Sequence, residues 1–388
     1  MSAYAITRLV LTDFRNYDHL KVETDLRPVV LTGQNGSGKT NLLEALSYLI
    51  PGRGMRRAVL SEPANTSGKG GWAVAADIQS DKGASTLGTG LIYGLEKAEN
   101  KETPDRRSVK IDGQNMSSSS ALSGHLKINW LTPQMDRLFQ EGASGRRRFL
   151  DRLTYGFDPA HGKRTAGFEK VMRERNKLLK EGGADRYWLG SLERTMAETG
   201  IAVAAARQEA VNRLNGAMND EEAAQVSSAF PKAVLSLQGD IEGWLEDMPA
   251  LAAEDRYREK LEATRGLDAK AGSTTTGPHR SDLSVLHKIK QQPAKLCSTG
   301  EQKALLISII LADARLQTGL QGQAPVLLLD EITAHLDQTR RASLFDEIEQ
   351  MNIQAWMTGT DYELFAELGS RAQFLTVDNG SIRETVIN

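Results

Sequence analysis

Eight consecutive residues, Gly33-Gln34-Asn35-Gly36-Ser37-Gly38-Lys39-Thr40, set glycines, a lysine and a threonine in an order suited to holding phosphate. They follow the apolar run Val29-Val30-Leu31-Thr32 and precede a helical pattern from about Lys39 to Leu49. Glycines let a backbone wrap closely around an anion, and successive N–H groups at a helix start point at it. The spacing is the complete P-loop pattern, so Gly33, Gln34, Asn35, Gly36, Ser37, Gly38, Lys39, Thr40 and Asn41 are read as nucleotide-binding. Lys39 is expected to reach the β- and γ-phosphates of ATP as part of the catalytic machinery, and the Thr40 hydroxyl to bind Mg²⁺.

A second constellation lies far along the chain, in Pro325-Val326-Leu327-Leu328-Leu329-Asp330-Glu331. Two acids at the end of a buried strand suit a division of labour. Asp330 is the candidate to hold Mg²⁺ directly or through water, and Glu331 the candidate to orient or activate the attacking water. Alone, an acid pair after an apolar strand says little; beside a complete P-loop it is informative.

Ser298-Thr299-Gly300-Glu301-Gln302 opens the helix before that strand. Two readings apply. A serine followed three residues later by an acid is an ordinary helix cap, and a helix start with free N–H groups is also an anion site. The segment resembles the ABC signature motif, in which a serine, a glycine and a helix start bind the γ-phosphate held by another subunit. That resemblance implies an ATP-dependent homodimer with sites shared in trans. Ala334-His335-Leu336-Asp337 looks like the D-loop of the same class, with Asp337 facing the opposing subunit. Gln134, in Thr132-Pro133-Gln134, stands where a Q-loop would contact Mg²⁺. Transport ATPases place a histidine after the next strand; here Met357-Thr358-Gly359-Thr360-Asp361 has none, which leaves Thr358 and Thr360 as hydrogen-bonding substitutes.

Elements must position these groups. Val326 to Leu329, Ile353 to Met357 and Phe374 to Val377 read as buried strands, and Glu301 to Ala314 and Gln338 to Gln350 as helices, which argues a parallel sheet. From Trp72 to Ile111, short alternating stretches broken by glycines predict an antiparallel sheet. Between about Phe149 and Arg265 the pattern is helical. Leu189, Leu192, Met196, Thr199, Val203, Ala206 and Ala210 form a heptad-like stripe, and Phe168, Val171, Met172, Leu178 and Leu179 a partner stripe, with Gly182 and Gly183 able to turn the chain between them. The fold class expected is α/β: an ABC-type P-loop ATPase head with a mixed sheet and an antiparallel lobe, plus an inserted α-helical arm. The segments are residues 1–148, 149–270 and 271–388.

The 388 residues carry 40% hydrophobic and 25% charged residues, ordinary for a globular chain, and a net charge of −2 that names no partner. The single cysteine, Cys297, permits no internal disulfide and fits a reducing compartment. No apolar run approaches the roughly 18 residues needed to cross a bilayer. The N-terminus reads as a strand rather than a signal peptide, so a cytoplasmic protein is expected.

Several further segments carry a specific resemblance. Asp13-Phe14-Arg15-Asn16-Tyr17, the P-loop running into Asn41-Leu42-Leu43-Glu44-Ala45, and Gly52-Arg53-Gly54-Met55-Arg56 look like the RecF family. So do Arg147-Arg148-Phe149-Leu150-Asp151, Gly277-Pro278-His279-Arg280 and Ser298 to Lys303. The matches run in order over nearly the whole chain. The resemblance implies a protein that dimerises on ATP, binds DNA at gaps, and works with RecO and RecR to load the RecA recombinase on single strands. It also places Arg15 among the nucleotide-binding residues. Two positions depart from the family pattern: Ser281 follows the His-Arg pair where Asp is common, and Gln134 stands where Glu often does.

DNA contact should come from basic stretches. Arg146, Arg147 and Arg148 are adjacent, and Arg173, Arg175 and Lys177 lie on the following helical segment. With few aromatic residues nearby, contact with the duplex backbone, including single-strand/duplex junctions, is favoured over base stacking. Arg53 and Arg56, after the P-loop helix, suit either a lateral contact to phosphate or a solvated surface. Rival readings are an SMC-like DNA-processing or defence ATPase and a transport ATPase; the large insertion between Lys39 and Ser298 disfavours the latter.

Overall fold

The computed structural model describes residues 2–68, 70–91, 107–182, 185–223 and 228–385. Gly183, expected in the turn of the arm, and residues 92–106 of the expected antiparallel stretch lie outside them. The chain divides into two compact units: Met1–Met135 with Ser228–Phe230 and Ala314–Asn388, and Asp136–Ser227 with Pro231–Asp313.

The first unit holds two six-stranded sheets, beside a short parallel pairing of Ser2–Ala3 with Gln323–Ala324. One runs in the order Ser381–Glu384, Gln373–Asp378, Val29–Thr32, Ala355–Thr358, Val326–Leu329, Ile128–Leu131. Its first pair is antiparallel and the rest are parallel. The runs VVLT, AWMT and VLLL are buried at every position, as parallel strands covered on both faces require. Helix Lys39–Ser47 follows the Val29–Thr32 strand and packs Leu42, Leu43, Ala45 and Leu46 into the same core. The second sheet is antiparallel, in the order Tyr17–Glu23, Ala5–Phe14, Trp72–Ser80, Gly83–Leu91, Arg107–Ile111, Gln114–Asn115. Burial alternates along Tyr17–Glu23 and Trp72–Ser80, the mark of a sheet with one solvated face.

These two sheets share one core. Phe14 meets Trp72 and Tyr48 edge-on, with ring centroids 5.6 and 6.1 Å apart. Arg107 reaches from the antiparallel sheet to the carbonyls that end the P-loop helix region, those of Tyr48, Ile50 (3.1 Å) and Gly52 (2.7 Å). Burial pushes its pKa down to about 10. The last carbonyls of a helix lack internal partners and carry partial negative charge, so a cation there is favourable.

The second unit is built on an antiparallel helix pair, His161–Glu181 and Arg186–Ala223. Leu189, Leu192, Met196, Val203 and Ala210 of the heptad-like stripe are buried, as is Phe168 of its partner. Helices Ala143–Phe157, Asp240–Asp247, Ala250–Ala263 and Arg265–Ala271 surround it. The stretch expected to be wholly helical contains a strand, Ala233–Gln238, paired antiparallel with Asp282–His287. Its residues, AVLSLQ, bury Ala233 and Leu235 alternately with more exposed neighbours, a period of two that suits a strand and not a helix. Among the described residues no helix is long and apolar enough to cross a membrane.

Candidate nucleotide site

Register puts the site together. Leu31 pairs with Thr358, and Leu329 with both Met357 and Leu131. The ends of four parallel strands are therefore level, and the residues that follow, Gly33, Gly359, Asp330 and Thr132, emerge along one edge. Carboxyl edges of parallel sheets are where α/β proteins hold ligands.

Two glycines of the P-loop have no substitute. Gly33 has φ 140°, and a Cβ there would lie 2.3 Å from the Val377 carbonyl oxygen. Gly38 has φ 116°, and its Cβ would lie 2.5 Å from the Tyr17 hydroxyl. Lys39 is buried and folds its ammonium back on the loop, donating to the carbonyls of Gly33 (2.6 Å) and Gln34 (2.8 Å). Burial lowers its pKa, opposed by the charges of Glu331 and Asp330. The Ser37 hydroxyl is buried without a hydrogen-bond partner. A cation held within reach of the loop, an unsatisfied hydroxyl and closely approachable backbone together fit a phosphate chain.

Asp330 is buried, and its Oδ1 accepts two hydroxyls: Thr40 at 2.9 Å and Thr358 at 2.8 Å. Its pKa is raised, first by burial, with the two hydroxyls pulling the other way. A carboxylate and a hydroxyl in contact are the hard oxygen donors that Mg²⁺ prefers. Thr358, fully buried, also accepts the Glu331 N–H at 2.8 Å. Thr360, by contrast, is exposed and hydrogen-bonds Asp361. Glu331 itself is exposed and sits at φ 49°. Gln134 is exposed on the 3₁₀ turn Pro133–Arg137 that follows the Ile128–Leu131 strand.

Arg15, expected at the nucleotide, is tied to the P-loop helix. It grips Glu44 through Nε (3.0 Å) and Nη2 (2.7 Å), and its Nη1 donates to the Glu62 carbonyl (2.9 Å). Glu44 is fully buried on the P-loop helix, and a buried carboxylate demands such pairing. Arg56 adds a second contact to Glu44 (3.0 Å) and one to Asn41 (2.8 Å), so neither arginine is a loose surface group. Sequence reasoning assigned no role to Asn16. Its amide donates to the Ser37 carbonyl (3.2 Å) and its Oδ1 accepts from Asn41 (2.7 Å), bracing the loop from outside. Its place between Arg15 and Tyr17 in an unusual motif was the only local signal.

In the second unit, Ser298 and Thr299 are exposed at the start of helix Thr299–Gln321. The Ser298 N–H donates to Glu301 Oε2 (3.0 Å) and the Glu301 N–H to Ser298 Oγ (3.4 Å), a reciprocal capping box. Lys290 pairs with Glu301, which brings the Glu301 pKa down to about 2. Gln302 is buried and donates to the Cys297 carbonyl (2.8 Å), while Gly300 is half-buried. The capping reading is thus realised, and the exposed Ser298 and Thr299 remain accessible to a ligand. In the first unit, Asp337 caps helix Gln338–Gln350 by accepting the Arg340 N–H (2.8 Å). Ser281, one of the two positions that depart from the expected family pattern, donates to buried Glu242 (2.5 Å); an aspartate there would oppose a second buried carboxylate.

The basic residues separate sharply. Arg175 is fully buried and cannot meet DNA: it pairs with Glu193 (3.0 Å) and Asp268 (2.8 Å) and donates to Thr274 and the Leu261 carbonyl. Residues two apart on a helix point to opposite sides, whereas those four apart share a face. Arg173 and Lys177 accordingly are both exposed. Arg146 is committed to Asp282 through two nitrogens (2.7 and 2.9 Å), and Arg147 is half-buried on the Ser281 carbonyl (2.6 Å). Arg148 is exposed.

A family model described as "RecF/RecN/SMC N terminal domain" matches residues 5–382. "DNA replication and repair protein RecF" of Mesorhizobium japonicum is 49% identical over 380 residues, covering 98% of each chain. The protein of the same name from Allorhizobium ampelinum is 51% identical, covering 97% of this chain and 98% of its own. The chain belongs to the RecF family. Its fold is that of the ABC- and SMC-type ATPase heads. The solved recombination mediator protein RecF-ATPrS in the RecFOR pathway superposes with a TM-score of 0.82 at 22% identity, covering 99% of both chains. An Smc head domain from Pyrococcus furiosus superposes with a TM-score of 0.53 at 14% identity, covering 99% of this chain and 96% of the other.

Proposed function

We propose that the chain is an ATP-dependent DNA-binding recombination mediator that acts at gapped DNA and helps load a recombinase on single strands during repair. The observation that carries this reading is the convergence of the P-loop, Thr40 and Asp330 on one sheet edge, in a chain aligned end to end with proteins named for DNA replication and repair. Lys39 and the loop N–H groups bind the phosphates of ATP. Thr40, Asp330 and Gln134 would hold Mg²⁺, which when bound neutralises charge on the β- and γ-phosphate oxygens. Glu331 orients the attacking water.

Ser298, Thr299, Gly300, Glu301 and Gln302 of a second copy close over the γ-phosphate, with Asp337 beside them, so that ATP joins two heads and hydrolysis releases them. In this reading the enzyme is a slow, DNA-stimulated switch working in the cytosol. Arg148, Arg173 and Lys177 are the exposed cations of the initial set that suit a phosphate backbone. RecO and RecR are the partners that the family membership suggests.

Sedimentation velocity with ATP, with gapped duplex DNA and with both tests the reading. The expected result is a monomer that dimerises on ATP and then travels with the DNA. A chain that stays monomeric and unbound with both ligands present would remove it.

A further inference from the structure

We propose that Thr358 is the positioning residue for Glu331, holding its backbone through a hydroxyl oriented by Asp330. The inference rests on the reading of Glu331 as the water-orienting carboxylate and adds the device that sets its direction.

Glu331 leaves its strand in the left-handed region, at φ 49°. A residue with a Cβ is strained there, and such a conformation persists only where surrounding contacts over-determine it. The Ala334 N–H holds the Glu331 carbonyl at 3.2 Å, and the contact on its amide side is the hydrogen bond from the Glu331 N–H to Thr358 Oγ1, at 2.8 Å. A hydroxyl has one proton. Thr358 commits its proton to Asp330 Oδ1 at 2.8 Å, which turns its oxygen lone pairs toward the Glu331 N–H. The threonine is fully buried at the end of a strand buried at every position, and its β-branched side chain is stiff at χ1. Oδ1 of Asp330 also takes the Thr40 hydroxyl at 2.9 Å. One hydrogen-bonded chain therefore links the residues proposed to hold the cation to the backbone of the residue proposed to direct water.

The next position reinforces the assignment. A Cβ at Gly359 would lie 2.4 Å from the Phe365 ring, so no side chain can take over there without moving Phe365. The side chain that reaches Glu331 from this strand end is therefore that of Thr358.

Thr358→Val, which keeps the shape and removes the hydroxyl, is compared with Thr358→Ser, which keeps the hydroxyl, at a temperature where both are folded by circular dichroism. Hydrogen exchange of the Glu331 amide is read in the ligand-free chain. It should quicken by about 10-fold or more in Thr358→Val and stay near the unmodified rate in Thr358→Ser. With ATP and Mg²⁺, kcat should fall about 10- to 100-fold in Thr358→Val and recover in Thr358→Ser, with ATP affinity changed by less than about 3-fold. Should Thr358→Val not fold, Thr358→Ala carries the same comparison.

Unchanged amide exchange, unchanged kcat, or a serine variant as impaired as the valine overturns the proposal. Glu331→Gln is run alongside. If it turns over normally, the reading of Glu331 itself has failed; if it is inactive while Thr358→Val is normal, only the role of Thr358 has.

Discussion

Thr40 donates its hydroxyl to Asp330 Oδ1 at 2.9 Å, although 290 residues separate them in the chain. The pair is preassembled at a buried point, and that assembly has a cost that can be measured.

Burial raises the Asp330 pKa above its ordinary value. A carboxyl whose folded pKa is raised favours the fold while protonated, below its unfolded pKa near 3.8, and loses that contribution as pH rises through the folded value. Asp330→Asn keeps an acceptor for both threonines and removes the charge. Its melting temperature without ligand should equal or exceed that of the unmodified chain at pH 7, with the gain vanishing below about pH 4. Mg²⁺-dependent ATP affinity should fall by more than about 100-fold. A variant less stable at neutral pH than at acid pH, relative to the unmodified chain, would show that ionised Asp330 stabilises the fold.

Glu331→Gln should bind ATP and Mg²⁺ normally and hydrolyse about 100-fold or more slowly. Gel-filtration with ATP and duplex DNA should then show a persistent dimer on DNA. Lys39→Ala provides the contrast: no productive ATP binding, hence no dimer to trap. Normal single-turnover hydrolysis in the glutamine variant would take Glu331 out of its assigned role.

Ser298→Arg tests whether the site is shared between subunits. Ser298 is exposed at its helix start, so the change should leave folding and ATP binding to the P-loop nearly intact. Bulk and charge at the helix start should block ATP-dependent dimerisation. Dimerisation as strong as in the unmodified chain, measured by sedimentation, contradicts a site shared in trans.

The arm cations should divide by exposure. Arg173→Glu with Lys177→Glu should weaken duplex binding at every sequence and flatten its salt dependence, because fewer counterions are released. ATP binding should survive. Arg175→Ala instead leaves buried Asp268 without its cation, while Glu193 keeps Arg265, and should destabilise the fold by about 3–5 kcal/mol. Denaturant melts and a salt titration of DNA affinity separate the two effects. Unchanged DNA affinity in the double variant moves the contact surface elsewhere.

The sequence by itself determined the P-loop, the Asp330-Glu331 pair, the capped signature helix and most strands and helices around them, because each depends on residues close together in the chain. Glycine φ values, capping boxes and apolar periods are local properties, readable without knowing what lies opposite. Even Arg175 carried a local clue, since it falls seven positions after Phe168 and four before Leu179, inside the apolar stripe of its helix. Its charge pointed outward and its period pointed inward; two acids in other helices decided for the inside. The same holds for Arg15, drawn to Glu44, and for Thr358, 28 residues from Asp330 in sequence but adjacent to it across two strands. Which partner a polar side chain takes is set by strand register and helix packing, and those follow from burial of the whole core rather than from any motif. Only the tertiary structure could therefore bring Thr358, and not Thr360, to Asp330, or turn a run of arginines into one buried brace and a few exposed charges.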